Sequence, residues 1–384
     1  MKILINTIST KKHSGGAYQI AYNFLIKTLE HPEINWIYVV SSDLDEIMPE
    51  MLKKKENYHV FPTQPDFKHS YKHVKKELSE LEERTKPDVV YSITSPSYFT
   101  FKAPEVMRFT NPWVTHPNKY SWSVLSFVER MKTKLYCWNQ RRMMHKAQFF
   151  VTQTETTKRG IIRITGVPSE NVKVVNNVLP QIFKGLQNTP KPQDGLWLDI
   201  ACVGAPVPHK NFDILPDVLK ELKILGIENV RFRVTVPCGN PLLDTYKKKL
   251  APLGLQDRIL SHGRCSQIEL AEMYRLCQIC FLPTLLEVFS ASTLEAMFFN
   301  LPVVATDFDF NREVMEDSCL YYKPMNAKDA ASKIAQLLGD KKLQETLSEK
   351  MKKRLALFDD YDNHFNTIKE FLQHVGEDRK FCTQ

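Results

Sequence analysis

Short apolar runs alternate with helix-periodic stretches along this chain; the alternation halts at a proline-rich segment and then begins again. Few architectures accept that pattern. Strands that read as unbroken apolar runs are covered on both faces, which is the condition of a parallel sheet, and the helices between them are its crossovers. In the first half the runs are Lys2 to Ile5, Trp36 to Val40, Asp88 to Ser92, Val106 to Thr110 and Gln148 to Val151, with helices expected over 17–26, near 70–84 and over 121–146. The break is residues 179–195, with prolines at 180, 190 and 192 and two glycines. Beyond it strands are expected over 199–203, 230–236, 258–261, 279–282 and 302–305, with helices over 212–225, 241–250, 267–276, 327–338, 341–356 and 361–376. The expected fold is therefore α/β, with two Rossmann-like doubly wound domains, residues 1–178 and 196–360, facing a central cleft. The linker is 179–195, and 361–384 is expected to be a C-terminal helix packing back on the first domain. A chain of 384 residues suits two such cores better than one.

In doubly wound sheets ligands sit beyond the carboxyl ends of the strands. The run Ile279 to Leu282 ends at Pro283, which puts Glu287 in such a crevice, and a second glutamate, Glu295, follows eight residues later. Ser290 or Ser292 is the expected N-cap of an intervening helix, with Glu295 three after Ser292 as in a capping box. At ~1.5 Å per residue, Glu295 lies roughly 7 Å along the helix from Ser290, about the reach of a diphosphate. A helix N-terminus turned to the crevice would offer N–H groups to that diphosphate, and the carboxylates would hold hydroxyls. The competing expectation is that Glu295 only caps and Glu287 is solvated. Three more loops point the same way. Gly204 to Asn211 brings Lys210 beside a helix start, Gly239 ends the next strand, and Gly263-Arg264 the one after. Near the N-terminus the loop with Gly15 and Gly16 leads from strand to helix without the GxGxxG spacing, which disfavours a dinucleotide site.

Charge is uneven. Residues 1–190 carry 27 Lys and Arg against 17 Asp and Glu, and the second half is slightly acidic, so the first half suits an anionic partner. Its most basic and aromatic stretch is 119–146, a candidate for an anionic membrane interface or a covering helix with a solvated basic face. No repeat or motif points to nucleic acid, and no apolar stretch approaches the length of a membrane span. The start lacks a signal-peptide pattern, so the expected location is cytoplasmic, or peripheral at the inner face of the membrane. The eight cysteines show no regular metal spacing; Cys277 and Cys280 form an isolated C-x-x-C that runs into a buried strand. Asp43-Leu-Asp45 and Asp307-Phe-Asp309 are D-x-D strings in the wrong setting for a metal site, so no metal is expected.

Taken together, these residues resemble the GT-B-fold retaining glycosyltransferases of the family 4 type, also called glycosyl transferases group 1. The resemblance covers nearly the whole chain. It is carried by Gly15-Gly16, the segment Val151 to Lys158, Lys173 to Val178, Gly204 with Lys210-Asn211, and Glu287 to Glu295 followed by Leu301 to Ala305. It implies that Glu287 contacts hydroxyls of the donor sugar, that Glu295 holds the ribose and that Lys210 binds the donor phosphates, with Phe289, Ser290 and Ala291 lining the donor. It also implies a nucleotide diphosphate sugar, UDP- or GDP-linked, as donor, and a glycan or lipid-linked glycan as acceptor. Departures are local. Ala205 stands where many members have a phosphate-binding arginine, a loss for which Arg264 is a candidate replacement. Val288 and Ser290 stand where glycines are usual. Asn111 stands at a histidine position, with His116 five residues on as the other candidate for that role. A nucleotide-sugar epimerase of the same fold and a non-catalytic sugar-nucleotide-binding scaffold are the competing functions.

Overall fold

A computed structural model describes residues 1–12, 16–64, 70–186 and 196–382 of the protein. The chain forms two compact units, one made of Met1–Thr115, Thr133–Val175 and Asp362–Gln384, the other of His116–Lys132 and Asn176–Tyr361.

The first unit is built on seven strands: β1 (Lys2–Asn6), β2 (Asn35–Ser41), β3 (Tyr58–Phe61), β4 (Val89–Ser92), β5 (Glu105–Arg108), β6 (Phe149–Thr152) and β7 (Val172–Val174). They lie in the order β3-β2-β1-β4-β5-β6-β7, and every pairing is parallel. Helices α1 (Gly16–Lys27), α2 (Tyr71–Thr85) and α4 (Glu155–Thr165) belong to its crossovers, as does α3 (Phe127–Met144) from Thr133 onward, its first six residues belonging to the second unit. Ile3, Leu4 and Ile5 are all sealed from solvent, as consecutive residues of a central strand covered on both faces must be. Gly160 of α4 meets the backbone of Thr115 so closely that a methyl group there would lie 2.6 Å from the Thr115 Cβ.

Two expectations change here. The stretch 121–146 is not one helix: Lys119–Ser123 forms a short helix, and α3 starts afresh after Ser126. The restart is a reciprocal cap, Ser126 N–H donating to the Glu129 carboxylate at 2.9 Å and Glu129 N–H to the Ser126 hydroxyl at 3.3 Å. Strands β3 and β7 had no continuous apolar signal. Both are edge strands of three or four residues, with Lys173 of β7 and Val60 of β3 exposed, so only part of each is buried.

The second unit repeats the plan with β8 (Leu198–Cys202), β9 (Val230–Val234), β10 (Ile259–Ser261), β11 (Ile279–Leu282), β12 (Val303–Thr306) and β13 (Leu320–Tyr322). The order is β10-β9-β8-β11-β12-β13, again all parallel. Its helices are α5 (Leu215–Ile224), α6 (Pro241–Leu250), α7 (Gln267–Arg275), α8 (Ala291–Phe298), α9 (Asp309–Met315), α10 (Ala327–Gly339) and α11 (Lys341–Leu355). β13, a three-residue edge strand, is the third that the sequence pattern did not reveal. The last helix, α12 (Tyr361–Cys382), buries Phe365, Ile368, Leu372 and Val375 in the core of the first unit. Lys27 of α1 and Asp362 near its start form an ion pair at 2.7 Å. Both sheets thus reverse strand order once, between β1 and β4 and between β8 and β11. Those reversals open the crevices in which a doubly wound sheet receives its ligand.

Candidate active site

In the second unit the loop after β8 carries Lys210 and the loop after β11 carries Glu287, so the two flank the strand-order reversal. Their side chains meet as an ion pair, each largely withdrawn from solvent, with 17% and 21% of the side chain exposed. Gly204, at the start of the lysine loop, lies against the Lys210 stem, from which a methyl group at that position would stand 3.6 Å, an ordinary contact. The same glycine is tied to the end of β9 by two hydrogen bonds, its N–H donating to Thr235 Oγ1 at 2.9 Å and its carbonyl accepting from that hydroxyl at 3.0 Å. Asn211, buried, adopts φ +55° and donates from its amide to the Pro283 carbonyl at 3.3 Å. That bond ties the lysine loop to the glutamate loop.

Burial pushes the Glu287 carboxyl up, but the Lys210 ammonium, the Val288 N–H and His209 outweigh it and hold the group below the usual glutamate value. His209, half-buried beside that lysine, is pushed down to about 4 by burial and by Lys210, against the pull of Glu287, and is therefore neutral at physiological pH. Its carbonyl accepts from Leu285 N–H at 2.7 Å.

The glutamate loop is clamped from a distant part of the chain. His116 Nε2 lies 2.7 Å from the Glu287 carbonyl, which fixes the proton on that nitrogen because a carbonyl can only accept. Asn118 donates its amide to the Leu285 carbonyl at 2.7 Å, and Thr306 its hydroxyl to the Thr284 carbonyl at 2.6 Å. His116, one of the two candidates for the histidine position, is thus in contact with the backbone of Glu287. Asn111, the other candidate, belongs to the first unit. Its carboxamide oxygen accepts from Trp113 N–H at 3.0 Å and its nitrogen donates to Gln140 at 2.7 Å, a local role at the start of the helical turn Pro112–Thr115.

Helix α8 begins after Ser290, whose hydroxyl does not cap the helix but lies 2.7 Å from the Ser292 hydroxyl. The expected Ser292–Glu295 capping box is absent for that reason: the helix starts two residues earlier, and Glu295 falls in its interior. There it is 6% exposed and accepts the Tyr274 hydroxyl at 2.8 Å. Burial raises its carboxyl to about 7, with Tyr274 and Lys210 opposing the rise. Val288, which stands at one of the two missing glycines, and Phe289, which lies between them, are core residues, and the Phe289 ring packs edge-on against Phe358 at 5.5 Å. Phe289, expected to line the donor, thus has its side chain in the core of the second unit. Ala291, by contrast, is exposed at the first position of the helix.

Gly239 and Gly263 take φ +79° and +71°, left-handed turns at the ends of β9 and β10 that favour glycine. Gly239 lines a cavity of about 290 Å³ with Asn240, Asp244, Tyr246, Asp257 and Ser261, which Lys210 and Glu287 do not reach. Arg264 is exposed and among the described residues makes no hydrogen bond or ion pair. Gly16, exposed, is the first residue of α1; Gly15 lies outside the described residues. Three of the four D-x-D carboxylates are engaged locally, Asp307 twice with Arg312, Asp43 with the Lys12 N–H and Asp45 with the Tyr58 hydroxyl. Cys277 and Cys280 are sealed in the core.

Three site residues escaped the sequence reading. Tyr274 and Asn118 carry no motif, and only contact reveals them. His209 had a signal, standing beside Lys210 in the same loop.

Residues 196–354 match the family model "Glycosyl transferases group 1". The O-antigen chain mannosyltransferase of Salmonella typhimurium is 25% identical over 210 residues, 54% of this chain and 55% of that protein. The chain spans little more than half the length of the curated relatives it matches. Among solved structures, Anabaena HepE in complex with UDP superimposes with a TM-score of 0.70 at 17% identity, covering 97% of this chain and 100% of that one. A glycosyltransferase from Rickettsia africae gives a TM-score of 0.69 at 17% identity, covering 97% and 98%. The fold is accordingly that of GT-B glycosyltransferases, two parallel-sheet Rossmann-like domains, and the match to the family model lies within the second unit.

Proposed function

We propose that the protein is a retaining, metal-independent hexosyltransferase that moves a sugar from a nucleotide diphosphate donor to a hydroxyl of a glycan or lipid-linked glycan. The observation that carries this reading is the Lys210–Glu287 pair at the strand-order reversal of a glycosyl transferases group 1 domain. Breaking an anomeric bond to a diphosphate builds positive character on the sugar and negative charge on the leaving group. An ammonium and a helix start with uncapped N–H groups stabilise the second, and a carboxylate orients the first through its hydroxyls. In this reading a donor diphosphate takes Lys210 from Glu287, and Glu287 turns to the sugar. Glu295, at the far end of the same stretch, accepts ribose hydroxyls. With the leaving group served by a cation and a helix dipole, the reaction proceeds without a divalent metal. The location is cytoplasmic, with the basic first half toward the acceptor or an anionic membrane.

The test is a panel of UDP- and GDP-sugars, UDP-glucose first, assayed for hydrolysis and for transfer with and without EDTA. Transfer that persists in EDTA, gives the donor's own anomeric configuration in the product and is lost in Glu287→Ala fits the reading. A new sugar nucleotide formed without acceptor would instead identify an epimerase. Donor binding without turnover on any acceptor would identify a scaffold.

A further inference from the structure

Helix α3 presents its largest apolar side chains to the outside. Of the seventeen large hydrophobic residues exposed among the described residues, six lie on these eighteen positions: Phe127, Val128, Met131, Leu135, Tyr136 and Trp138. At ~100° per residue, Phe127, Met131, Leu135 and Trp138 fall within one narrow stripe, with Val128 at its margin. The face that joins the protein is another one, marked by buried Cys137, Gln140 and Met144. Such a helix has one apolar face for its own core and a second with no covering side chains. Phe127 is 77% exposed and Leu135 67%, and it is their contiguity with Met131 and Trp138 along one stripe that marks an interaction surface.

The residues beside the stripe are cationic. Lys132, Lys134, Arg141, Arg142 and, just past the helix, Lys146 are all exposed. The Arg142 guanidinium lies 4.9 Å from the centre of the Trp138 ring, so charge and apolar surface meet in one place. The only acid of the helix, Glu129, is turned from the stripe and occupied by the Ser126 cap. A stripe of Phe, Leu, Met and Trp bordered by Lys and Arg is the composition that lies in the plane of an anionic bilayer, its rings at headgroup depth and its long cationic stems reaching outward. No helix among the described residues is long and apolar enough to cross a membrane, so the contact is peripheral.

We propose that α3 is a membrane-docking element, seating Phe127, Met131, Leu135 and Trp138 in the headgroup region of an anionic lipid surface while Lys134 and Arg142 bind its phosphates. Anionic lipid is favoured over a second copy of the chain because a twofold contact through this face would set the cationic borders against each other. The inference does not depend on the transfer reaction.

The experiment is co-sedimentation of the full chain with vesicles of phosphatidylcholine alone or mixed with phosphatidylglycerol, with analytical ultracentrifugation alongside. The expected result is binding to the mixed vesicles only, weakened by salt. Lys134→Glu should weaken it at least about fivefold, the effect of removing one charge near an anionic surface. Phe127→Ser with Leu135→Ser should abolish it. Because these side chains are exposed, the variants keep their circular dichroism spectrum and melting temperature. Binding that ignores both sets of substitutions overturns the proposal. So does a dimer that the serine variants dissociate while vesicles are left unbound.

Discussion

Both sheets of this protein reverse strand order once, yet the two crevices are furnished in opposite ways. Beyond β8 and β11 stand an ammonium and a carboxylate, a neutral histidine and a helix start whose cap residue does not occupy it. At β1 and β4, among the described residues, an amide, several hydroxyls and a buried carboxyl satisfy one another. Asn6 donates to Ser92 at 3.1 Å, Ser92 to the buried Glu105 at 2.5 Å, and the Thr10 and Thr94 hydroxyls meet at 2.6 Å. Burial raises Glu105 to about 7, only partly offset by Ser92 and Ser97, so much of it stays protonated near neutrality. Topology supplies a crevice in both places, and the side chains decide which one is ready for an anion. The second is organised for a charged ligand, while the first is held together by its own hydroxyls.

The largest effect that would break this contrast is on turnover. Lys210→Ala and Glu287→Ala are each expected to lower kcat/KM about 100- to 1000-fold, the scale for removing one preorganised charge at a reacting centre. Each leaves the other charge half-buried without its partner, so folding is checked by thermal melting. Glu105→Gln, in the other crevice, should leave turnover within about twofold, because it removes no charge from the crevice that holds Lys210 and Glu287. An equal loss in all three variants would erase the distinction.

Glu105 should show itself in stability instead. Below the ordinary glutamate value of 4.5 both folded and unfolded chains hold its proton. As pH rises from 4.5 toward 7 the unfolded chain releases that proton while the folded chain retains it, so stability falls across this window and levels off above it. The loss is on the order of 3 kcal/mol by linkage, and Glu105→Gln should remove it. Urea unfolding of both proteins between pH 4.5 and 8 reads the difference, which isolates Glu105 from every other titrating group, Glu295 among them. Parallel curves would mean that the carboxyl ionises without hindrance.

The same contrast explains how much of the molecule was legible in the chain. Interior strands such as β1 and β11 are read directly, since consecutive residues are buried on both faces. β3, β7 and β13 are edge strands of three or four residues, half-exposed and polar enough to pass for loop. At the site, Lys210 and Glu287 were legible because each follows an apolar run by a few residues. The Tyr274 contact with Glu295 was not, because it spans 21 residues between two helices and neither residue type announces it. Of the two expected N-caps, Ser290 and not Ser292 stands at the helix start, so only the capping box between Ser292 and Glu295 fails to form.

Glu295 offers a smaller and sharper test. Its carboxyl is raised to about 7 without ligand, chiefly by burial. A carboxylate that accepts ribose hydroxyls must be ionised, so donor binding should release a proton and strengthen as pH rises through that value. Between pH 6 and pH 8 the donor Kd is expected to fall up to about tenfold, the factor that corresponds to one pH unit of unfavourable protonation. Calorimetry in buffers of different ionisation enthalpy would count the proton released. Glu295→Gln should bind more weakly and show no such slope. A wild-type Kd that does not move with pH would remove Glu295 from the donor.

The smallest expected effect separates positioning from proton transfer at His116. Its Nε2–H is committed to the Glu287 carbonyl, and Asn118 supports Leu285 two residues earlier. Loss of either bond leaves the loop to find water in place of the side chain, so the Glu287 carboxylate keeps its partner but is less firmly aimed. His116→Ala should then lower kcat about three- to tenfold, with Asn118→Ala at the lower end, since small misplacements of a catalytic group are felt in the rate. In both variants the shape of the pH–rate profile should survive, because neither side chain carries a proton in the reaction. A loss of about 100-fold or more, together with the disappearance of one limb of that profile in His116→Ala alone, would assign the histidine to acid–base chemistry. It would also mean that ligand binding draws the ring away from the carbonyl it holds here.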